Sequence, residues 1–126
     1  MANQDNVQKI DEEELKVAEQ EASELTDTTF TYKLRKPLTY EGKVYAELHF
    51  DFDSLTGADA LDVEEEMAKV GLPVVIVAAF NSEYLIRIAA RACAEPIGAD
   101  AFRSASLFDY NKIRDRMRGF LLASEQ

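Results

Sequence analysis

Two runs of alternating apolar and polar residues, separated by a glycine turn, most constrain what this chain can fold into. Their apolar positions are Phe30, Tyr32 and Leu34, then Val44, Ala46, Leu48, Phe50 and Phe52. A period of two is typical of a strand that is buried on one face only. Glu41 and Gly42 supply turn chemistry between the runs, so we expect an antiparallel β-hairpin. Pro37 is predicted to end the first strand.

A hairpin alone is marginal in water, so its apolar face requires cover from helices. A first helix is predicted between a cap at Thr56 or Asp59 and a stop at Gly71. Its apolar positions are Leu61, Val63, Met67 and Val70. The helical period that follows the hairpin therefore indicates an α+β fold.

The second predicted helix is the most apolar part of the chain. Pro73 suits its first turn, where a missing N–H costs nothing. Its apolar residues are too broadly distributed for a surface helix, so we expect it to be the central one. They are Val74, Val75, Ile76, Val77, Phe80, Leu85, Ile88, Ala89, Ala92 and Cys93. Asn81 and Ser82 are predicted to cap and restart it with a kink, and Glu95 with Pro96 ends it.

Two further helical segments complete the predicted fold. Residues 100–105 form a short turn, and Asp109 caps a last helix. One face of this helix carries Ile113, Met117, Phe120 and Leu121. We therefore expect one α+β domain over residues 28–126, in which an N-terminal antiparallel β-hairpin packs on a bundle of three to four helices.

Residues 1–27 differ in composition from the rest of the chain. They contain nine acidic residues against Lys9 and Lys16, which gives this segment a net charge of −7. A thin apolar stripe at helical spacing is opposed by like charges four residues apart. The segment is predicted to be an acidic leader, either flexible and solvated or helical when a partner binds.

Length and charge exclude several classes of protein. A chain of 126 residues suits one domain, and its net charge of −10 disfavours nucleic acid and anionic membranes as partners. The longest apolar run, residues 74–80, is too short to cross a bilayer, and the N-terminus lacks the features of a signal peptide. With Cys93 as the single cysteine, no intrachain disulfide can form, so we expect a reducing cytoplasm.

Candidate catalytic residues are few. His49 lies on a predicted strand between Glu47 and Asp51, without a neighbouring nucleophile, and Cys93 lies in an apolar helix where a thiol is usually inert. Residues 51–62 invite comparison with a calcium loop but lack its sixth-position glycine and its final glutamate. We therefore expect no enzyme, metal site or cofactor.

Charge is unevenly distributed in the predicted domain. Residues 47–66 contain eight acidic residues and no lysine or arginine, whereas the last helix carries Lys112, Arg114, Arg116 and Arg118. Such an arrangement can steer a basic partner or favour head-to-tail self-association, and it can equally be an ordinary solvated surface. The acidic run also allows an alternative function, an acidic inhibitor or DNA-mimic adaptor from a mobile element, although the basic helix argues against it.

The order of these elements resembles the tail assembly chaperones of long-tailed phages, in the group of tail protein E and the Mu-like members. Over Phe30 to Leu122, the chain has a strand with a proline, a glycine-turn hairpin (FTYKLRKPLTYEGKVYAELHFD) and a helical remainder. The closing pattern of that family is a leucine, an aspartate two residues later and a helix that finishes in Phe-Leu. Here these are Leu107, Asp109 and Phe120-Leu121.

The resemblance implies a non-catalytic protein that binds the tape measure protein in the host bacterial cytoplasm until tail tube subunits polymerise. Such a protein is absent from the mature virion and can form homo-oligomers. Tyr40, Tyr45 and Phe108 are candidates for contact residues, but the resemblance assigns no partner-binding site.

Overall fold

The computed structural model describes residues 28–125. Its first elements form the predicted hairpin. Strand β1 comprises Thr29–Tyr40 and pairs antiparallel with β2, Lys43–Asp51. Glu41 and Gly42 have φ angles of 50° and 80°, and positive φ at both positions is what a tight hairpin turn requires. The hairpin prediction is confirmed, whereas the expectations for residues 1–27 lie outside the described residues.

Pro37 does not end β1, contrary to the prediction. The strand continues to Tyr40, and the pairing register shifts between Lys33 and Leu38. A bulge accommodates the proline, because residues within a bulge do not need to donate a backbone hydrogen bond to the partner strand. Beyond the bulge the inward face changes, so Leu38 pairs with Tyr45 and both side chains are buried. The prediction that Tyr45 is exposed and could serve contacts between copies of this chain was therefore wrong.

The first helix, α1, is Gly57–Lys69 and has the predicted cap. Thr56 precedes it, and the Asp59 carboxylate accepts a hydrogen bond from the Thr56 backbone N–H at 2.8 Å. Val63 and Met67 are buried against the core. Leu61 and Val70, which were predicted to share that face, are exposed.

The second helix, α2, is Ser82–Ala92 and is shorter than predicted. The Asn81 side chain accepts a hydrogen bond from the Tyr84 backbone N–H at 2.9 Å, so the predicted cap is confirmed. Residues 73–77 are not helical, and a short 3₁₀ turn over Ala78–Phe80 precedes Asn81. The extension of the central helix back to Pro73 was wrong. Four consecutive β-branched residues have low helix propensity, and no polar cap precedes them.

Helices α3 (Ala99–Ser104) and α4 (Leu107–Ser124) complete the described chain. The cap of α4 is Ser106, whose hydroxyl accepts a hydrogen bond from the Asp109 backbone N–H at 3.1 Å. The prediction that Asp109 caps this helix was therefore wrong. The Asp109 side chain is buried and has a different role, described below.

The core lies between the inner face of the hairpin and the helices. Helix α2 packs against α1, α3 and α4. The largest fully buried apolar side chains are Phe102, Leu48, Leu85, Met117 and Val63. The fold is α+β with an N-terminal hairpin, as predicted from the change of period. Within residues 28–125, no helix has both the length and the apolar character that crossing a bilayer requires.

Candidate partner-binding surface

Residues 74–80, hereafter the apolar segment, expose large hydrophobic side chains. Val74 is 86% exposed, Ile76 91%, Val77 54% and Phe80 67%. Single exposed apolar residues are ordinary on protein surfaces, but contiguous ones mark sites of interaction. The most apolar run of the sequence, which was predicted to lie in the central helix, therefore lies on the surface.

The backbone of the apolar segment is anchored to the domain. Ala79 is buried, and its carbonyl oxygen accepts a hydrogen bond from Nε of Arg118 at 2.8 Å. The guanidinium carbon of Arg118 also lies 5.4 Å from the centroid of the Phe80 ring. Val75 and Ala78 pack partly against the core. These contacts hold the backbone in place while the neighbouring side chains point into solvent.

A groove of about 280 Å³ runs between α1 and the start of the apolar segment. It is lined by Glu64, Met67, Ala68, Leu72, Pro73, Val74 and Val75. All the lining side chains except Glu64 are apolar. Val74 belongs both to the groove lining and to the exposed side chains of the apolar segment, and we call the groove and these side chains together the apolar surface.

Much of the acidic run beside this surface is bound within the chain. Arg91 lies 3.1 Å from Asp59, 3.6 Å from Asp62 and 2.6 Å from Glu66, measured between nitrogen and carboxylate oxygen. The pKa of Arg91 is raised, first by its hydrogen bond to Glu66, although partial burial opposes the shift. Glu64, by contrast, makes no ion pair within residues 28–125. The acidic run is therefore partly neutralised, but not at the groove.

His49 forms a surface cluster with two carboxylates. Its Nδ1 lies 3.1 Å from Oε1 of Glu95, and its Nε2 lies 3.1 Å from Oε2 of Glu47. The pKa of His49 is raised, mainly by its hydrogen bond to Glu95. The Glu95 carboxylate also accepts a hydrogen bond from the His49 backbone N–H at 2.6 Å. The cluster ties the chain after α2 to the edge of β2.

Cys93 lies beside this cluster, and burial raises the pKa of its thiol to about 11. A thiol with such a pKa is almost fully protonated at neutral pH, and the protonated form is a poor nucleophile. Within the part of the chain that the structure describes, no group of three or more histidine, cysteine or acidic side chains is placed to hold a metal ion.

Two carboxylates of the calcium-loop comparison, residues 51–62, accept hydrogen bonds from other groups of this chain. Asp51 accepts a hydrogen bond from the Asp53 backbone N–H at 3.0 Å, and it caps a 3₁₀ turn at Phe52–Ser54. Asp59 is bound by Thr56 and Arg91. These residues therefore act as helix and turn caps here.

Asp109 joins β1 to α4. Its carboxylate accepts hydrogen bonds from the hydroxyl of Tyr32 at 2.6 Å and that of Ser106 at 2.8 Å. It also accepts from the backbone N–H groups of Arg35 at 3.0 Å and Lys36 at 3.2 Å, both within the β1 bulge. Burial acts to raise the pKa of Asp109, but the four hydrogen bonds outweigh it and the pKa is lowered. Burial and the bond to Asp109 raise the pKa of Tyr32 to about 12.

The remaining candidate contact residues are held by neighbours on the surface. The Tyr40 hydroxyl donates to Oδ1 of Asp100 at 2.9 Å. Phe108 is 45% exposed, and the guanidinium carbon of Arg35 and the ammonium nitrogen of Lys112 lie 4.8 and 5.4 Å from the centroid of its ring. Neither residue lines the groove described above.

Neither a family model, nor a curated protein, nor a solved structure matches this chain. The resemblance to the tail assembly chaperones therefore rests on the order of the sequence elements. Of those elements, the hairpin with its glycine turn and the helical remainder are present in the structure.

Proposed function

We propose that this protein is a non-catalytic tail assembly chaperone of a phage or prophage. It binds the tape measure protein in the host bacterial cytoplasm, recruits tail tube subunits and leaves before the virion is mature. The observation that carries the proposal is the apolar surface, on which Val74, Ile76 and Phe80 are exposed over an anchored backbone. A chaperone of this kind needs reversible apolar contacts with its client.

Charge supports the same function. The chain has a net charge of −10, most of it outside the described domain in residues 1–27. Binding would cover the apolar stripes of a long helical client while the acidic residues keep the complex in solution. A protein that binds and solubilises in this way needs no catalytic group.

The acidic run at residues 47–66 favours a second candidate, an acidic inhibitor or DNA-mimic adaptor. A mimic of DNA would present negative charge over an extended face. Here Arg91 binds three of the eight acidic side chains, and His49 lies beside Glu47. This candidate therefore takes second place to the chaperone.

Co-expression with the tape measure protein encoded just downstream tests the proposal. We expect the two proteins to co-purify and the tape measure protein to stay in solution only when this chain is present. The double substitution Val74→Ser/Ile76→Ser should abolish this effect, because it removes apolar contact area without affecting the core.

The matched control is Val44→Ser/Leu107→Ser, which changes two aliphatic side chains with 63% and 72% exposure at other places on the domain. It should preserve co-purification. A tape measure protein that precipitates equally with and without this chain would overturn the proposal. Binding to a DNA-associated protein that weakens steeply with salt would favour the second candidate instead.

A further inference from the structure

We infer that the groove between α1 and the apolar segment binds an amphipathic helix of the partner, in which lysine or arginine flanks the apolar stripe. The inference rests on the proposed function and deepens it, because it locates the client-binding site and states the chemistry of the bound segment.

The apolar lining of the groove suits the apolar face of an amphipathic helix. The groove is lined by apolar side chains that include Met67, Leu72 and Val75, and the exposed Ile76 follows directly after them in the chain. Amphipathic helices bind such grooves with apolar side chains spaced three or four residues apart. A helix on this surface would cover the side chains that the domain leaves in solvent.

The charges around the groove determine which residues can flank the apolar stripe of that helix. Helix α1 carries five acidic residues and one lysine, for a net charge of −4. Glu64 lines the groove and makes no ion pair within residues 28–125. Across the apolar segment, Arg118 is engaged by the Ala79 carbonyl and lies 3.4 Å from the Asp115 carboxylate. The uncompensated charge at the groove is therefore negative, which attracts basic flanks and repels acidic ones.

Segments of this chain itself have the wrong charge or are already engaged. Residues 1–27 contain nine acidic residues, and the α1 side of the groove would repel them. Helix α4 is basic, but Arg116 lies over its own Phe30 and Phe52 rings and Arg118 over Phe80. These contacts would have to break before α4 could bind a second copy. A basic helix from another protein is the occupant that the charges favour.

Two synthetic peptides of 18 residues test the inference with the full-length protein. Both carry leucines at helical spacing, and they differ only in whether lysine or glutamate flanks the stripe. We expect the lysine peptide to bind at least about tenfold more tightly in fluorescence anisotropy. Equal affinities, or tighter binding of the glutamate peptide, would overturn the inference.

Paired variants separate the groove from the overall charge of the protein. Glu64→Lys should reduce the preference for the lysine peptide by at least about threefold. Glu41→Lys changes the net charge equally but lies in the hairpin turn, so it should leave the preference unchanged. If both variants reduce the preference equally, the peptide responds to net charge and the inference is wrong.

A second pair of variants tests the apolar contacts. Val74→Ser should weaken binding of the lysine peptide about tenfold, whereas Val44→Ser, at another exposed valine, should leave it unchanged. If Val74→Ser leaves peptide affinity unchanged but lowers the mass of the free protein in sedimentation, a second copy occupies the groove and the inference fails.

The outcomes distinguish this inference from the proposed function. A tape measure protein that stays in solution, together with peptides that bind without charge preference, would leave the chaperone function intact and overturn the site chemistry. A charge-selective groove in a protein that does not bind the tape measure protein would support the site chemistry and overturn the chaperone function.

Discussion

The apolar segment and helix α2 are adjacent in the sequence, but one is exposed on the surface and the other is buried in the core. Leu85 and Ala89 of α2 are fully buried, whereas Ile76 of the apolar segment is 91% exposed. Both stretches are rich in aliphatic residues, so hydrophobicity alone does not decide burial. Helix α2 has a polar cap at Asn81, whereas the segment before it has four consecutive β-branched residues after a proline. Local backbone preference determines which stretch forms the helix that enters the core.

The two stretches also differ in what holds them. Helix α2 is held by side chains that contact the hairpin and the other helices. The apolar segment is held through its backbone, by the bond from Arg118 to the Ala79 carbonyl, with partial packing of Val75. Anchoring through the backbone leaves the other side chains free for a partner.

The largest expected effect is a difference in stability between two truncations, one in each stretch. Leu85→Ala removes a fully buried side chain and should lower the free energy of unfolding by about 2–5 kcal/mol. Ile76→Ala should change it by less than about 0.5 kcal/mol, because the side chain is already in solvent. Urea unfolding of both variants measures the difference. Similar losses in the two variants would contradict the assignment of the apolar segment to the surface.

The hairpin and α1 could be predicted from the sequence because their signals are local. Alternation identified Phe30 and Phe50 as inward residues, of which Phe30 packs partly buried against the core and Phe50 is buried, and Thr56 was identified as a cap before an apolar helix. The bulge at Pro37 could not be found in this way. Its free N–H groups bind Asp109, which is more than 70 residues away along the chain.

The apolar segment was recognised in the sequence, but it was wrongly predicted to be part of the buried central helix. Residues 74–80 were identified as unusually apolar, and a short apolar run fits a buried helix as well as an exposed extended segment. Its exposure depends on tertiary contacts, notably the one between Arg118 and Ala79, that periodicity does not reveal. The position of Glu64 in the groove likewise follows only once α1 and the apolar segment are packed together.

The next largest effect on stability is expected at Asp109, because its carboxylate is buried like the side chains of α2. Asp109→Asn leaves a side chain of the same shape that accepts fewer hydrogen bonds, and we expect a loss of about 1.5–3 kcal/mol in urea unfolding. Because the folded state lowers the pKa of Asp109, its contribution is complete above the unfolded carboxyl pKa of about 3.9. That contribution is lost as the pH falls through the folded pKa.

Unfolding measured from pH 7 down to pH 2 therefore checks both parts of this prediction. The loss of stability in acid should be smaller in the Asp109→Asn variant than in the natural protein. Equal acid sensitivity in the two proteins would mean that Asp109 contributes no pH-dependent stability.

A smaller effect is expected at the anchor of the apolar segment. Arg118→Met keeps an apolar stem but removes the bond to the Ala79 carbonyl, which should cost about 1 kcal/mol. Chymotrypsin should then cleave faster after Phe80, because local opening of the segment becomes easier. Arg114→Met is the control, since the Arg114 guanidinium donates hydrogen bonds to Asp115 rather than to the apolar segment. Equal cleavage rates in all three proteins would show that Arg118 is not the anchor.

The smallest effect on stability is expected at His49. Its contacts with Glu95 connect β2 to the chain that follows α2. The folded state raises the pKa of His49, so the extra stability is present below the unfolded pKa of about 6.5. It is lost as the pH rises through the folded pKa. The natural protein should therefore lose slightly more stability than His49→Gln between pH 5.5 and pH 8.5, a window of about three pH units that spans this titration. A constant difference in urea midpoint across that window would contradict the prediction.

Thiol reactivity tests most directly the claim that the apolar segment is a partner-binding surface. In a Cys93→Ser background, Ile76→Cys and Ile86→Cys place one thiol in each stretch, at positions that are 91% and 3% exposed. Reaction with a neutral maleimide should be as fast at position 76 as in urea, slow at position 86, and slow at position 76 once the tape measure protein is bound. Slow reaction at position 76 in the free protein, or unchanged reaction in the complex, would contradict the account.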